Sequence, residues 1–102
     1  MTLISSQHYR DQEIVDSKIA AKDFDVYYQV FSNDFALVVD GHHSHEAAIQ
    51  EGVEPNYIDA TNMDGFDNIQ ETYRVLGSLD AFLEAHFMDG EWYDIKTGKL
   101  VF

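Results

Sequence analysis

Apolar positions change their spacing several times along the chain, and each change marks an element. Over residues 11–22, Ile14, Val15 and Ile19 fall near one face of a helix. Acids lead and Lys18 and Lys22 trail, as the helix dipole prefers. Residues 25–31, Asp-Val-Tyr-Tyr-Gln-Val-Phe, are rich in β-branched and aromatic types and predict a strand. Ser32-Asn33-Asp34 predicts a tight turn. Phe35-Ala36-Leu37-Val38-Val39 is continuously apolar, as a central strand buried on both faces should be. Residues 44–51 read as a short helix stopped by Gly52, and 56–59 as a short strand. Strand, helix and strand from 35 to 59 together predict a right-handed βαβ unit. Two helices follow, 67–76 and 79–87, split at Gly77 with Ser78 as the second N-cap. The segment 91–102 reads as a β-hairpin turning at Lys96-Thr97-Gly98-Lys99. Phe82, Leu83, Phe87 and Met88 read as core, and Trp92, Tyr93 and the aromatics of 24–35 as core and edge-strand packing.

These elements predict an α+β fold of α/β type: a small mixed sheet with helices on at least one face and a C-terminal β-hairpin. A length of 102 residues suits a single domain, 1–102. The longest apolar runs, such as Phe35–Val39, fall far short of the ~20 residues that a spanning helix needs, so no membrane partner is expected.

Charge changes the list of partners. Nineteen acids face six Lys and Arg, giving a formal charge of −13. The bases, Arg10, Lys18, Lys22, Arg74, Lys96 and Lys99, are scattered. A protein that grips a phosphate backbone needs Lys and Arg to release counterions, so direct nucleic-acid binding is not expected. The chain has no cysteine, hence no disulfide, thiolate nucleophile or Cys-based zinc site. A reducing compartment, the cytoplasm, is the expected location.

One segment carries candidate chemistry: Val38-Val39-Asp40-Gly41-His42-His43-Ser44-His45-Glu46-Ala47-Ala48. A buried strand ends in an acid and a glycine, and a polar loop opens a helix. Ligands bind α/β proteins at the carboxyl ends of strands. Gly41 permits a sharp turn. A helix N-terminus offers free N–H groups suited to an anion, and histidines donate to phosphate or carry protons. A metal site is not expected from His42, His43 and His45, because adjacent residues rarely point the same way. His8 and His86 have no evident partners.

An apolar strand, then Asp-Gly-His-His, one residue, and a helix with Ala-Ala and a closing Gly resembles the ParB/sulfiredoxin superfamily. The likeness covers residues 3–60 and is specific over 35–52. Some members are small-molecule kinases with an Asp-Gly-His-His-Arg motif at the nucleotide phosphates and an upstream acid as base or metal partner. The resemblance implies a ParB/sulfiredoxin-like core and a ligand- or nucleotide-binding domain. Its ligand-binding residues would be Asp40, Gly41, His42, His43 and Ser44, its catalytic residues His43 and Glu13, and its ligand a nucleotide with magnesium. The chain departs from the motif at Ser44, where the family has arginine, and a hydroxyl cannot neutralise phosphate. No Lys or Arg lies between Lys22 and Arg74, an interval that holds eleven acids. A bound divalent cation could offset that charge. These departures point to a degenerate site and favour a binding domain over an enzyme, with phosphoryl chemistry left open.

A second reading comes from charge alone. Carboxylates spread over a small fold can imitate a phosphate backbone and occupy a basic groove on a nucleic-acid enzyme. Short, acidic, cysteine-free inhibitors of phage or mobile-element type are similar in style. The partner would then be a basic protein surface. A third reading is a structural domain of a larger assembly.

Overall fold

The computed structural model describes residues 1–102. In chain order the elements are β1 (Thr2–Ser5), α1 (Gln12–Ala21), β2 (Asp25–Val30), β3 (Phe35–Asp40), α2 (His42–Glu51), β4 (Asn56–Asp59), α3 (Ile69–Leu76), α4 (Leu79–Ala85) and β5 (Tyr93–Asp94). The strands form one five-stranded mixed sheet in the order β4-β2-β3-β1-β5, with helices on both faces. The α+β class read from the sequence is the class of the fold.

The apolar run of β3 decides the centre of this sheet. Its side chains alternate between two cores. Leu37 joins Ile4, Phe31, Ile69, Phe82, Leu83 and Trp92 on the face covered by α3 and α4. Ala36 and Val38 join Leu3, Val26, Tyr93 and Ile95 on the other. There α2 lies over the sheet, with His45 against Tyr57 of β4 and α1 packed on α2. Alternation on a strand covered on both sides is what makes the run apolar throughout.

The strand pairing corrects the expected βαβ unit. β3 pairs antiparallel with β2 through the Ser32–Asp34 turn and parallel with β1 on its other side. Both its edges are then filled, so β4 cannot lie beside it. β4 instead pairs parallel with β2, at the edge of the sheet. The connections β1 to β3 and β2 to β4 therefore interlock. β1 itself was not anticipated, because four residues with two apolar side chains carry no readable period. Its Ile4 is nonetheless fully buried.

Helix boundaries follow their caps. The Asp11 carboxylate accepts from the Glu13 amide, Asn68 Oδ1 from Glu71, and Ser78 Oγ from Ala81. The Asn68 cap starts α3 at Ile69, two residues later than expected. The buried Gln29 accepts from the Ile69 amide at 3.1 Å and ties that helix end to the sheet. On α1, Val15 is fully buried, Ile19 half-buried and Ile14 exposed, so the inward stripe is narrower than the sequence suggests. α4 ends at Ala85, which leaves Phe87 and Met88 beyond it and exposed rather than in the core. The C-terminal hairpin is present but short. Tyr93 and Leu100 form a single antiparallel bridge, flanked by Asp94 N–H to Lys99 O and Val101 N–H to Trp92 O. No helix is long and apolar enough to cross a membrane.

Phe82 stacks on Phe31 with ring centroids 4.1 Å apart and is fully buried. Phe82→Ala should therefore cost about 3–5 kcal/mol in a denaturant titration, from lost transfer energy and the cavity left behind. Val75→Ala, on the exposed side of α3, should stay within about 0.5 kcal/mol of the parent chain. Equal effects would contradict the packing of the α3–α4 face.

Candidate functional site

The site is built where β3 turns into α2. Gly41 is the N-cap of α2, with φ +94°. A Cβ there would overlap the Asp25 carbonyl oxygen and come within 2.9 Å of Val26 Cα. Only glycine fits, because the chain passes directly against β2 in a left-handed conformation. The Asp40 carboxylate accepts the Gly41 amide at 2.7 Å, and no side chain caps the first turn of α2. α2 thus begins at His42, two residues earlier than the sequence suggests, and its first amides have no side-chain acceptor.

That early start sends the motif's side chains in different directions. His42 points inward and is buried, and its Nε2 lies 2.6 Å from Ser5 Oγ of β1. Burial, followed by the charges of Arg10, His43 and His45, pushes its pKa down to about 4, against a weaker upward pull from Asp89. His43 is half-buried, and its Nε2 accepts the Asp11 amide at 3.1 Å. Its Nδ1 must then carry the proton of the neutral ring and is the face left for a ligand. Ser44 is buried and is not the helix cap. Its hydroxyl lies near enough to Asp23 to bear weakly on that carboxyl. Burial raises Asp23, but Lys18, the Asp25 amide and the Ser44 hydroxyl together hold it below the usual carboxylate range. His45 is buried too, pushed down by burial and by Arg10 against Glu46, and its Nε2 has no hydrogen-bond partner.

Asp40, Gly41, His42 and His43 line one polar cleft of about 220 Å³ together with Gln7, Val39 and Lys18. Ser44 and Glu13 do not line it. Glu13 is exposed on the first turn of α1, and its carboxylate makes no hydrogen bond to the loop. A larger cavity of about 410 Å³ lies on the other side of His42, between Ser5, Leu37, the Phe66 segment and the residues just after α4. His42, Val39 and Gln7 form the wall shared by the two.

Lys18, Arg10, Gln7 and Ser5 were missing from the sequence reading of the site. Nothing in the local pattern marks them, since all four come from the segment between β1 and α1 or its flanks. The C-terminal segment holds that stretch in place. Asp89 accepts the amides of His8 and Tyr9, which keep its carboxyl below the usual range. His8 Nε2 donates to the Glu91 carbonyl, and Arg10 donates to the Tyr93 hydroxyl. His86, likewise unpartnered in the sequence, donates from Nδ1 to the Phe82 carbonyl. No three His, Asp or Glu side chains converge as metal ligands.

No family model, curated protein or solved structure matches this chain.

Two neutral, buried histidines give the fold a sign of pH dependence. In the unfolded chain they bind protons below about pH 6.5, whereas in the fold they resist doing so. Their stability contribution is thus present above 6.5 and is lost as pH falls toward the folded value, about 4 for His42. The His42 share of that loss is about 3 kcal/mol, as the shift converts. Denaturant midpoints measured from pH 7 to pH 4 should fall steadily, and His42→Gln should flatten most of the slope. An unchanged slope in that variant would assign the loss elsewhere.

Proposed function

We propose that the chain is a ParB/sulfiredoxin-like ligand-binding domain. Its polar cleft would take the phosphate portion of a nucleotide, without the family's phosphoryl transfer. The observation that carries this reading is the convergence of Lys18 on the Asp40–His43 loop at the uncapped start of α2. Sequence alone placed that loop in an interval of eleven acids with no base. In space Lys18 stands at the cleft, and Arg10 is close enough to bear on His42 and His45. A cation is therefore present where the family's arginine is absent, supplied by α1 rather than by position 44. The N–H groups of α2, His43 Nδ1 and Lys18 are all donors, the set an anion needs. Asp40 is the single carboxylate lining the cleft, so magnesium would enter bound to the phosphates rather than in a protein cage. Glu13, exposed and unbonded to the loop, gives no support to a catalytic base, and binding without catalysis suits this arrangement. The setting inferred is the cytoplasm.

A second reading keeps its own observation. None of the nineteen acids is buried, and only Asp23 and Glu71 have an ion-pair partner. A surface of unpaired carboxylates suits an acidic inhibitor, of phage or mobile-element type, that occupies the basic groove of a nucleic-acid enzyme.

Thermal unfolding with magnesium and each of ATP, ADP and CTP separates the two. Nucleotide binding should raise the melting temperature by several degrees at low salt, and His43→Ala or Lys18→Ala should abolish the rise. Absence of any rise would sink the binding reading. For the inhibitor, association with a basic protein should slow steeply as salt increases, with the histidines dispensable. Salt-independent association would count against mimicry.

A further inference from the structure

Ser5 and His42 make the one hydrogen bond in this molecule between two buried side chains, and both line the larger cavity. We propose that Ser5 is a nucleophile, with His42 as its base, for acyl transfer from small uncharged carboxylic esters that enter this cavity. The site lies on the opposite side of His42 from the polar cleft and does not depend on what that cleft binds.

The geometry is that of an activated hydroxyl. Oγ and Nε2 are 2.6 Å apart, within the reach a nucleophile and base require. The Gln7 amide donates to the same Oγ at 3.0 Å, which fixes the Ser5 rotamer and leaves the hydroxyl proton for His42. Burial keeps the imidazole neutral, with a lone pair available for that proton. A base held so low removes protons weakly, so turnover is slow and a covalent adduct is the better readout.

The cavity sets the substrate class. Leu37, Phe66, Phe87 and Met88 give it apolar walls, and Asp67 is its only Asp, Glu, Lys or Arg. An ester with a short acyl chain fits about 410 Å³ of such space, whereas a carboxylate or phosphate finds no Lys or Arg there.

The reaction balances without a further co-reactant except water. His42 Nε2 takes the Ser5 proton as Oγ bonds to the ester carbonyl carbon. The tetrahedral oxyanion collapses, the carbon–oxygen bond to the alcohol breaks, and His42 returns the proton to the leaving alkoxide. Water then releases the acid from the acylated Ser5 by the same steps.

A fluorophosphonate probe tests the dyad directly. The parent chain should gain one adduct, mapped by peptide mass to Ser5, with fluoride leaving as the serine proton passes through His42. Ser5→Ala should remove the adduct, and His42→Gln should slow it at least ten-fold. Because the chain has no cysteine, Ser5→Cys provides a unique thiol of nearly the same volume. Chloroacetamide should alkylate that thiol faster than free cysteine, and adding His42→Gln should cancel the advantage. Three results would each overturn the proposal: a parent chain with no adduct on Ser5, an adduct that forms equally fast in His42→Gln, or a Ser5→Cys variant that chloroacetamide leaves unmodified.

Discussion

β3 is enclosed on four sides, by β2 and β1 along its edges and by a core on each face. Backbone groups inside such a strand must find partners in the neighbouring strands, because water does not reach them. The side chains from Phe35 to Val39 must be apolar, because both faces are covered. The rest of the molecule is arranged around these demands. β4 is displaced to the far side of β2, α3 and α4 close one face, and α2 closes the other. The carboxyl end of this buried strand is also where the chain first meets solvent, and the candidate site begins there.

The turn at that end is narrow. Gly41 lies so close to the backbone of β2 that no side chain could be carried there. The close approach fixes the phase of α2, and the phase separates the two adjacent histidines. His42 turns under the helix to Ser5, buried and neutral, while His43 faces the polar cleft with Nε2 engaged by Asp11. Neighbours in sequence thus work in different environments, one as the wall between two cavities and the other as a donor to one of them. Ser44, next in line, is buried and does not line the polar cleft.

Electrostatics follow the same logic. The acid surplus lies on the outside, unpaired for the most part, where water solvates it at little cost. Arg10 comes to the loop on the segment between β1 and α1, and Lys18 on α1 itself. That segment is clasped by Asp89, Glu91 and Tyr93 from near the other end of the chain. At the cleft, Lys18 is the one Lys or Arg among the lining residues, and its ammonium is paired with Asp23 at 3.0 Å and shares the lining with Asp40.

Much of this fold was legible from residue order. The β3 run, the β-branched and aromatic composition of β2, the Ser78 cap and the stops at Gly52 and Gly77 are local signals, and each acts within a few residues of itself. The loop from Asp40 to His43 was legible for the same reason, because its strand, glycine and helix are contiguous. β1 was not legible. It owes its existence to pairing with β3 more than thirty residues away, and four residues cannot display a period. The partners of the loop were not legible either. Ser5, Gln7, Arg10 and Lys18 acquire their roles only when β1 inserts between β3 and β5 and α1 packs on α2. The sequence by itself determined most of the strands and helices, though not β1, and where the chemical side chains sit along the chain. Which of those side chains meet, and which histidine is buried, was decided by tertiary structure, because strand order and helix packing join residues that share no local pattern.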